Sequence, residues 1–472
     1  MEEGAAWLLG VAARELVLFA AAGLLIGGVD DLAMDLVWLA RGCWRRWFVF
    51  TRHERATLAT LPPPNAPGLL AVFIPAWKEE AVIGRMLAAA VAGIVHDDYR
   101  LYVGTYPNDP ATVRAVRAVN SDRVRLVGGV LPGPTTKAEC LNRMWHAMLA
   151  DEEMSGRRVK AVILHDAEDV IHAGELALYD RMIERFDFVQ VPVRPLPVRP
   201  SFGARAASPT WRDHLFGWWR RSVSSTYMDE FAEAHGKQLC VREALGAGIP
   251  AAGVGCAISR DVLARLAEAA GGMPFDAGSV TEDYEIGLRM KAMGARAAFV
   301  ALPMRAGERP IAVEAHFPDT VRTAVRQKAR WMQGIALAGW DRLRWQGGLA
   351  ERWMRLRDRR GVLAAIVLAA AYAGGVLALL CRLLGIVPAW PVSAAPLFAA
   401  TTALLVWRLA LRAWLVAGIH GWREGLLAIP RVLLSNLIAM AAARRALAIY
   451  VPGVTPAWDK TAHAFPEAHA CD

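Results

Sequence analysis

Three carboxylates fall within four residues in His165-Asp166-Ala167-Glu168-Asp169, directly after the apolar run Ala161-Val162-Ile163-Leu164. The run reads as a buried parallel strand, which puts the acids at a strand's carboxyl end, where open α/β sheets bind ligands. Acids this close repel one another, and hard oxygen donors of this kind suit Mg2+ or Mn2+, a cation that commonly holds phosphate. The competing account is a solvated acidic loop after a core strand. A second acidic group, Thr281-Glu282-Asp283-Tyr284-Glu285, opens a helical pattern. There the threonine is placed to cap the helix, and the acids either face a site or favour the positive helix N-terminus. Further on, Gln327-Lys328-Ala329-Arg330-Trp331 sets Gln327 and Trp331 at i and i+4 on one helical face.

The elements that must position these residues repeat. Leu69 to Ile74, ended by Pro75, is followed by Trp77-Lys78-Glu79-Glu80 and a helical pattern to about Val95, giving strand, polar loop and helix. The unit recurs as Leu101 to Gly104 before Asn108-Asp109-Pro110, then as Val124 to Val127 before Thr135-Thr136-Lys137, and the next strand runs into Asp166. Strands alternating with helices predict a mostly parallel sheet. Glu79, Asp109 and Asp166 then lie at strand carboxyl ends, with Lys137 in a loop of the same unit, and the four are predicted to converge on one crevice. Additional strands are predicted at Phe188 to Val193, Ala298 to Leu302 and Ile311 to Glu314, and Gly253 to Arg260 reads as a glycine-lined approach to a helix. The aromatic stretch containing Trp211, Phe216, Trp218 and Trp219 leads into a long helix through Tyr227 and Phe231, which either rests on a membrane or belongs to a domain core. Glycine-rich dinucleotide and P-loop patterns are absent, which argues against dehydrogenase and NTPase chemistry.

The chain has 472 residues, net charge +9 and 55% hydrophobic residues. That balance suggests a membrane protein, with the arginine excess lying beside apolar runs as the positive-inside bias requires; no lysine-rich tract or stacking motif points to nucleic acid. The six cysteines are scattered, with neither zinc-ligand nor secreted-scaffold spacing. Ala5 to about Val29 reads as a transmembrane helix, interrupted by Arg14 and Glu15 and followed by Asp30, Asp31 and Asp35 and then by a basic flank. Val362 to Cys381 is uncharged and predominantly apolar, and with Pro391 to Trp407 it forms a predicted membrane hairpin. Gly425 to Tyr450 is apolar but contains Arg431, Asn436, Arg444 and Arg445, which favours an interfacial helix. The resulting division is an N-terminal helix and connector at 1–40, a cytoplasmic domain at 41–350, a membrane hairpin at 361–415, an interfacial helix at 420–450 and a cytoplasmic tail at 451–472.

Asp166-Ala167-Glu168, Thr281-Glu282-Asp283 and Gln327-Lys328-Ala329-Arg330-Trp331 occur in an order, and between apolar segments, that resembles membrane-embedded family 2 glycosyltransferases of the polysaccharide-synthase type. Cellulose and hyaluronan synthases are similar at greater distance. His165 to His172, Tyr227 to His235 and Trp458-Asp459-Lys460-Thr461-Ala462-His463 resemble the NfrB-like bacteriophage adsorption subgroup, over roughly residues 10–463 in all. The resemblance implies an α/β, GT-A-type nucleotide-diphospho-sugar transferase domain inserted between transmembrane helices in the bacterial inner membrane, with its catalytic domain cytoplasmic. It implies metal-dependent, inverting transfer from a UDP-sugar, by subgroup a UDP-N-acetylhexosamine, to a growing glycan that is translocated. The partners so implied are the donor, the glycan, the lipid bilayer and an outer-membrane export partner. In that scheme Asp166 and Glu168 hold Mg2+ or Mn2+, and Glu79, Asp109, Lys137 and Asp166 meet UDP. Asp283 is the base, with Glu282 its competitor, and Gln327, Arg330 and Trp331 serve the acceptor and diphosphate. The chain departs from the family pattern in having Lys78 where Asn usually precedes the first-loop Glu, and Glu168 where the metal motif commonly has Asp. Alternatives are a polyprenyl-phosphate glycosyltransferase and a non-catalytic export or phage-receptor scaffold.

Overall fold

In the computed structural model, the described residues are 2–198, 210–452 and 465–466, and the Trp458 to His463 motif lies outside them. A single helix, α1 (Glu2–Trp44), precedes an α/β domain that alternates β1 (Leu69–Pro75), α2 (Ile83–Gly93), β2 (Tyr99–Thr105), α3 (Pro110–Arg117), β3 (Val124–Gly128), α4 (Lys137–Ser155) and β4 (Val159–Leu164). The second half is less regular. It runs through α5 (Glu175–Met182), β5 (Phe188–Gln190), β6 (Val193–Leu196), α6 (Trp211–Glu233), α7 (Leu239–Ala244), β7 (Cys256–Ser259), α8 (Arg260–Ala269), α9 (Glu282–Ala292), β8 (Ala297–Phe299) and β9 (Val313–His316). Helices α10 (Val321–Met332), α11 (Gly339–Leu343) and α12 (Leu349–Arg359) lead to the apolar α13 (Gly361–Leu383), α14 (Ala394–His420) and α15 (Trp422–Tyr450).

Seven strands form one sheet in the order β3-β2-β1-β4-β7-β5-β8, and β6 pairs with β9 in a second, two-stranded sheet. β1 pairs in parallel with β2 and β4, as its unbroken apolar run predicts, and is buried at every position but the first. Alternate residues feed two cores: Leu70, Val72 and Ile74 pack towards α2 and α5, whereas Ala71 and Phe73 pack towards α4 and α8.

The predicted sheet is thus mostly parallel, but β7 reverses it, pairing antiparallel with both β4 and β5. The Gly253 to Arg260 segment, which reads as a glycine-lined approach to a helix, therefore contains a strand of its own. Only four residues long and buried at three of them, β7 has no alternation to betray it. Gly255 before it adopts φ +58, and a Cβ there would lie 2.5 Å from Val313 Cγ2, so the position demands glycine. The strand predicted at Phe188 to Val193 breaks after Gln190, and Val193 opens β6 in the other sheet, with Pro192, which has no N–H to offer a ladder, at the break. β8 starts one residue before its predicted position and ends three residues short of it, and β9 is shifted by two residues.

Helices α1, α13, α14 and α15 are long and apolar enough to cross a membrane. The predicted first span is longer than expected, continuing unbroken to Trp44. Its charges are satisfied internally: Arg14 pairs with Glu15 at 2.7 Å, Asp31 accepts from Arg360 at 2.5 Å and Arg357 at 2.8 Å, and Asp35 accepts from Lys237 at 2.5 Å. α15 has the length and composition of a span, yet it also lies along the α/β domain. Ile438 meets Ala324 and Tyr227, Ala442 and Ala446 meet Ala329, and Arg431 is held by Asp229 at 2.7 Å.

Candidate active site

Two groups of polar residues form at the carboxyl end of the central strands. The first follows β1 and β2. Asp109 sits at the N-cap of α3, where Oδ1 accepts from Thr112 N at 3.3 Å and Oδ2 accepts from Lys78 N at 2.6 Å. The neighbouring Glu79 N donates to Thr112 Oγ1 at 2.9 Å, and both Glu79 and Asp109 are buried. Lys78 itself adopts φ 55, the left-handed region that Asn tolerates far better than Lys. The departure from the family pattern therefore falls on a backbone conformation that explains why Asn is usual there.

The second group follows β4. Lys137, first residue of α4, places Nζ 2.5 Å from Asp166 Oδ1. The fields of Glu282 and Asp283 reach the same lysine: burial disfavours its charge, but Asp166, Glu282 and Asp283 together hold its affinity for a proton above the usual lysine range. Burial and the adjacent Asp283 carboxylate push Glu282 up to about 7, against the pull of Lys137 and Arg330. Asp283 is raised as well, chiefly by burial, with Lys137 and Arg330 again opposing. The starts of α4 and α9, far apart in the chain, and Arg330 of α10 thus act on one another.

The two groups are stapled together by the loop before α4. Asn108 Nδ2 donates to Gly133 O at 2.7 Å, and Gly133 N returns a hydrogen bond to Asn108 Oδ1 at 2.7 Å. Gly133 packs so closely on Trp77 and Tyr106 that a Cβ would lie 2.7 Å from the indole.

Other parts of the site carry no local signature. His165 is fully buried with Nδ1 3.0 Å from Asp169 Oδ2 and Nε2 3.0 Å from Glu175 Oε1. Burial opposes its charge, yet the Glu175 and Asp169 carboxylates push it up to about 10. Asp169 Oδ2 also accepts from Asp166 N at 2.9 Å, so a buried imidazolium braces the turn from which Asp166 and Glu168 project. Asp169 is thereby committed to this brace. At the other acidic motif, Gly253 takes φ +79 and lies so close to Asp283 Oδ2 that no Cβ fits between them.

Thr281 occupies the N-cap position of α9 but makes no capping hydrogen bond, contrary to expectation, and its Oγ1 is buried without a partner among the described residues. Gly334, in the π-helical turn after α10, packs so closely on that side chain that a Cβ would lie 2.5 Å from Thr281 Cγ2. Glu285 belongs to a separate set of contacts, accepting from Ser279 Oγ at 2.7 Å and pairing with Arg342 at 2.7 Å. Gln327 Oε1 is buried with no hydrogen-bond partner among the described residues. Trp331 is half-buried, its ring edge-on to Tyr227 at 6.1 Å and near Phe231 at 6.4 Å.

Among the described residues no group of three or more His, Cys, Asp and Glu side chains gathers into a metal cage. The donors nonetheless suit a hard cation. Asp166 is 35% exposed and gives only Oδ1 to Lys137, while Glu168 adds a second carboxylate on the same turn. Mg2+ sites of this sort take one or two carboxylates and complete their shell from substrate phosphates and water.

The family described as glycosyltransferase like family 2 matches residues 67–334, more than half of the chain. The chain belongs to that family. This family 2 glycosyltransferase is similar to bacteriophage adsorption protein B of Escherichia coli strain K12, at 36% identity over an alignment of 494 positions covering 98% of this chain and 63% of that protein. The same figures describe its similarity to bacteriophage N4 adsorption protein B of Escherichia coli O157:H7. The chain therefore spans 63% of the length of these curated relatives. Among solved structures it resembles the mannosyltransferase PcManGT from Pyrobaculum calidifontis, solved in complex with GDP-Man and Mn2+, with a TM-score of 0.51 at 16% identity over 93% of this chain and 99% of that one. The expected GT-A-type fold, flanked by helices apolar enough to span a membrane, is borne out.

Proposed function

We propose that this family 2 glycosyltransferase transfers a sugar from a UDP-sugar, by subgroup resemblance a UDP-N-acetylhexosamine, onto a growing glycan with inversion at the transferred carbon, and passes the product across the bilayer. The observation that carries this reading is the 2.5 Å contact of Lys137 Nζ with Asp166 Oδ1, within the field of Glu282, Asp283 and Arg330. Cations and carboxylates that balance one another in the resting protein suit a substrate that brings its own negative charge and leaves with more. Asp166 and Glu168 would hold Mg2+ or Mn2+, which when bound neutralises charge on the departing UDP. Lys137 lies beside the diphosphate, and Glu79 and Asp109, stapled to the same loop, receive uridine and its ribose.

Asp283 removes the acceptor hydroxyl proton as the acceptor oxygen bonds to the anomeric carbon. The carbon–oxygen bond to UDP breaks with its electron pair going to UDP, so the proton on Asp283 is the only one moved in the step. Glu282 is the competing base, buried beside it. Trp331 offers an aromatic platform to the acceptor sugar, with Gln327 and Arg330 supplying polar contacts near it and the diphosphate.

In this reading α1, α13 and α14 cross the bacterial inner membrane with residues 41–350 in the cytoplasm, since basic residues flank the domain side of the spans. α15 lies at the interface, supported by its contacts with Ala324, Ala329 and Asp229. Relatives named for bacteriophage adsorption support a cell-surface or secreted glycan as the product.

The deciding experiment is incubation of the purified, detergent-solubilised protein with a panel of UDP-sugars, and with GDP-mannose, in Mg2+ or Mn2+, followed by sizing of the product. An extended glycan from a UDP-sugar supports the proposal. A single-sugar lipid as sole product at saturating donor makes the chain a polyprenyl-phosphate glycosyltransferase. No turnover with any donor makes it a scaffold, and UDP release without glycan marks hydrolysis.

A further inference from the structure

Gln190 closes β5 and is fully buried, beside Val191 and Val254 of the core. A primary amide in such a place is costly unless its N–H groups and its carbonyl all find partners, whereas a leucine would pack there without that demand. Nε2 lies 2.9 Å from Val191 O, 3.0 Å from Val254 O and 3.0 Å from Gly255 O, and Oε1 accepts from Ala252 N at 2.9 Å. These bonds are not needed to close the sheet, because β5 and β7 already pair in register, with Gln190 opposite Cys256. Nor does Gly255 depend on them: its N–H donates to Leu164 O at 3.0 Å and its carbonyl accepts from Val191 N at 2.9 Å. What the side chain adds is a hold on Ala252 and Val254, the two residues that flank Gly253.

Gly253 is where this turn meets the acidic start of α9. It takes φ +79, and a Cβ there would lie 2.3 Å from Asp283 Oδ2 and 3.2 Å from Asp283 Cγ. Asp283 Oδ1 accepts from the N–H of Tyr284 at 2.7 Å, so one carboxylate oxygen is fixed by its own helix and the other rests on the glycine. The surrounding charges do not centre the group, since Lys137 and Arg330 draw it while Asp166 repels it. We propose that Gln190 is a positioning residue for Asp283: by fixing Ala252 and Val254 it holds Gly253 in place as the seat of Oδ2. The inference rests on the reading of Asp283 as the base. A base has to meet the acceptor hydroxyl within hydrogen-bond reach, and a carboxylate stopped on one side by a rigid turn keeps that direction from one turnover to the next. Gly253 makes room for the seat, and Gln190, which touches no substrate, keeps it from moving.

The test is made on the full chain in detergent with two variants. Gln190→Met keeps the length of the side chain and removes its hydrogen bonds, whereas Gly253→Ala pushes a Cβ against the Asp283 carboxylate with Gln190 intact. Thermal midpoints are measured first, and rates are taken well below them and expressed per folded molecule. With a panel of UDP-sugars and Mn2+, Gln190→Met should lower kcat by about a hundredfold, the loss expected when a reacting group is misplaced by about 1 Å, while donor KM and UDP affinity are unchanged. The double variant should be no slower than Gly253→Ala alone, because both changes act through one seat. Amide hydrogen exchange read by mass spectrometry should rise in Gln190→Met over both 251–256 and 281–286, and not over α8. An unchanged kcat per folded molecule, losses that multiply in the double variant, or exchange raised at 251–256 alone each overturn the proposal. UDP binding lost together with kcat also overturns it, by placing the turn in the donor site. If the parent turns over no donor, or if Asp283→Asn turns over as the parent does, the base reading fails and the role of Gln190 falls with it, whatever the exchange shows.

Discussion

Lys137 Nζ lies 2.5 Å from Asp166 Oδ1, joining the first residue of α4 to the turn after β4 across the mouth of the sheet. Each group answers the other's charge, so removing either changes what the diphosphate meets. Asp166→Asn should abolish metal-dependent UDP binding and transfer while membrane insertion is unchanged. Lys137→Met should keep cation binding but lower turnover by roughly two orders of magnitude, the usual loss for one electrostatic stabiliser of a leaving group. Titration calorimetry with UDP and Mn2+, alongside turnover, checks both, and retained turnover in Asp166→Asn would defeat the metal assignment.

Asp283 and Glu282 share a buried corner, and both carboxyls hold protons more tightly than usual, with Glu282 near 7. Raised values mean the pair is partly protonated on the acid side of neutrality, where a base cannot act. Transfer should therefore climb with rising pH through the region around 7, as a property of the pair. Asp283→Asn should keep donor binding and lose transfer; loss of both together would indicate a structural or metal role.

The buried His165 imidazolium lies between Asp169 and Glu175. His165→Leu leaves two carboxylates facing each other without a cation, a change that costs about 3–5 kcal/mol for a buried pair. Thermal unfolding in detergent should show this as a markedly lower midpoint. Among molecules still folded, Mn2+-dependent UDP affinity should fall as well, since Asp169 would no longer brace the Asp166 N–H.

Lys78 occupies the left-handed region at φ 55. A residue other than Gly, Asn or Asp is disfavoured there by about 1 kcal/mol or more. Lys78→Asn should raise the unfolding midpoint by a small, measurable amount without weakening UDP binding, because the hydrogen bond to Asp109 comes from the backbone N–H.

Trp331 stands among Tyr227, Phe231 and Phe317 in an aromatic cluster between α6 and α10. If it presents one face to the acceptor, Trp331→Ala should reduce glycan formation far more than UDP binding. Equal loss of both, with a midpoint lowered as for a buried aromatic, would make it a packing residue. Tyr227→Phe is the control: its hydroxyl is buried without a partner among the described residues, so removing it should leave the midpoint unchanged or raised.

What the sequence determined by itself was whatever burial writes into a local pattern. Apolar runs marked β1, β2 and β4 as strands, and the polar residues that follow them had to face the same edge of the sheet, which placed Glu79, Asp109 and Asp166. Long apolar helices announced themselves in the same way. The tertiary structure decided what depends on partners distant in the chain. β7 is too short and too evenly buried for any period to show, and its direction is set only by β4 and β5 closing around it. His165 is bound to Glu175 through a turn whose shape the sequence does not state, and the charge of Arg330 acts on Glu282 and Asp283 only because packing brings α9 and α10 together. Asp30, Asp31 and Asp35 look costly at the end of an apolar helix until Arg357, Arg360, Arg408 and Lys237 arrive from elements more than two hundred residues away. A charge declares in the sequence that it needs a partner, but only the packed chain supplies one.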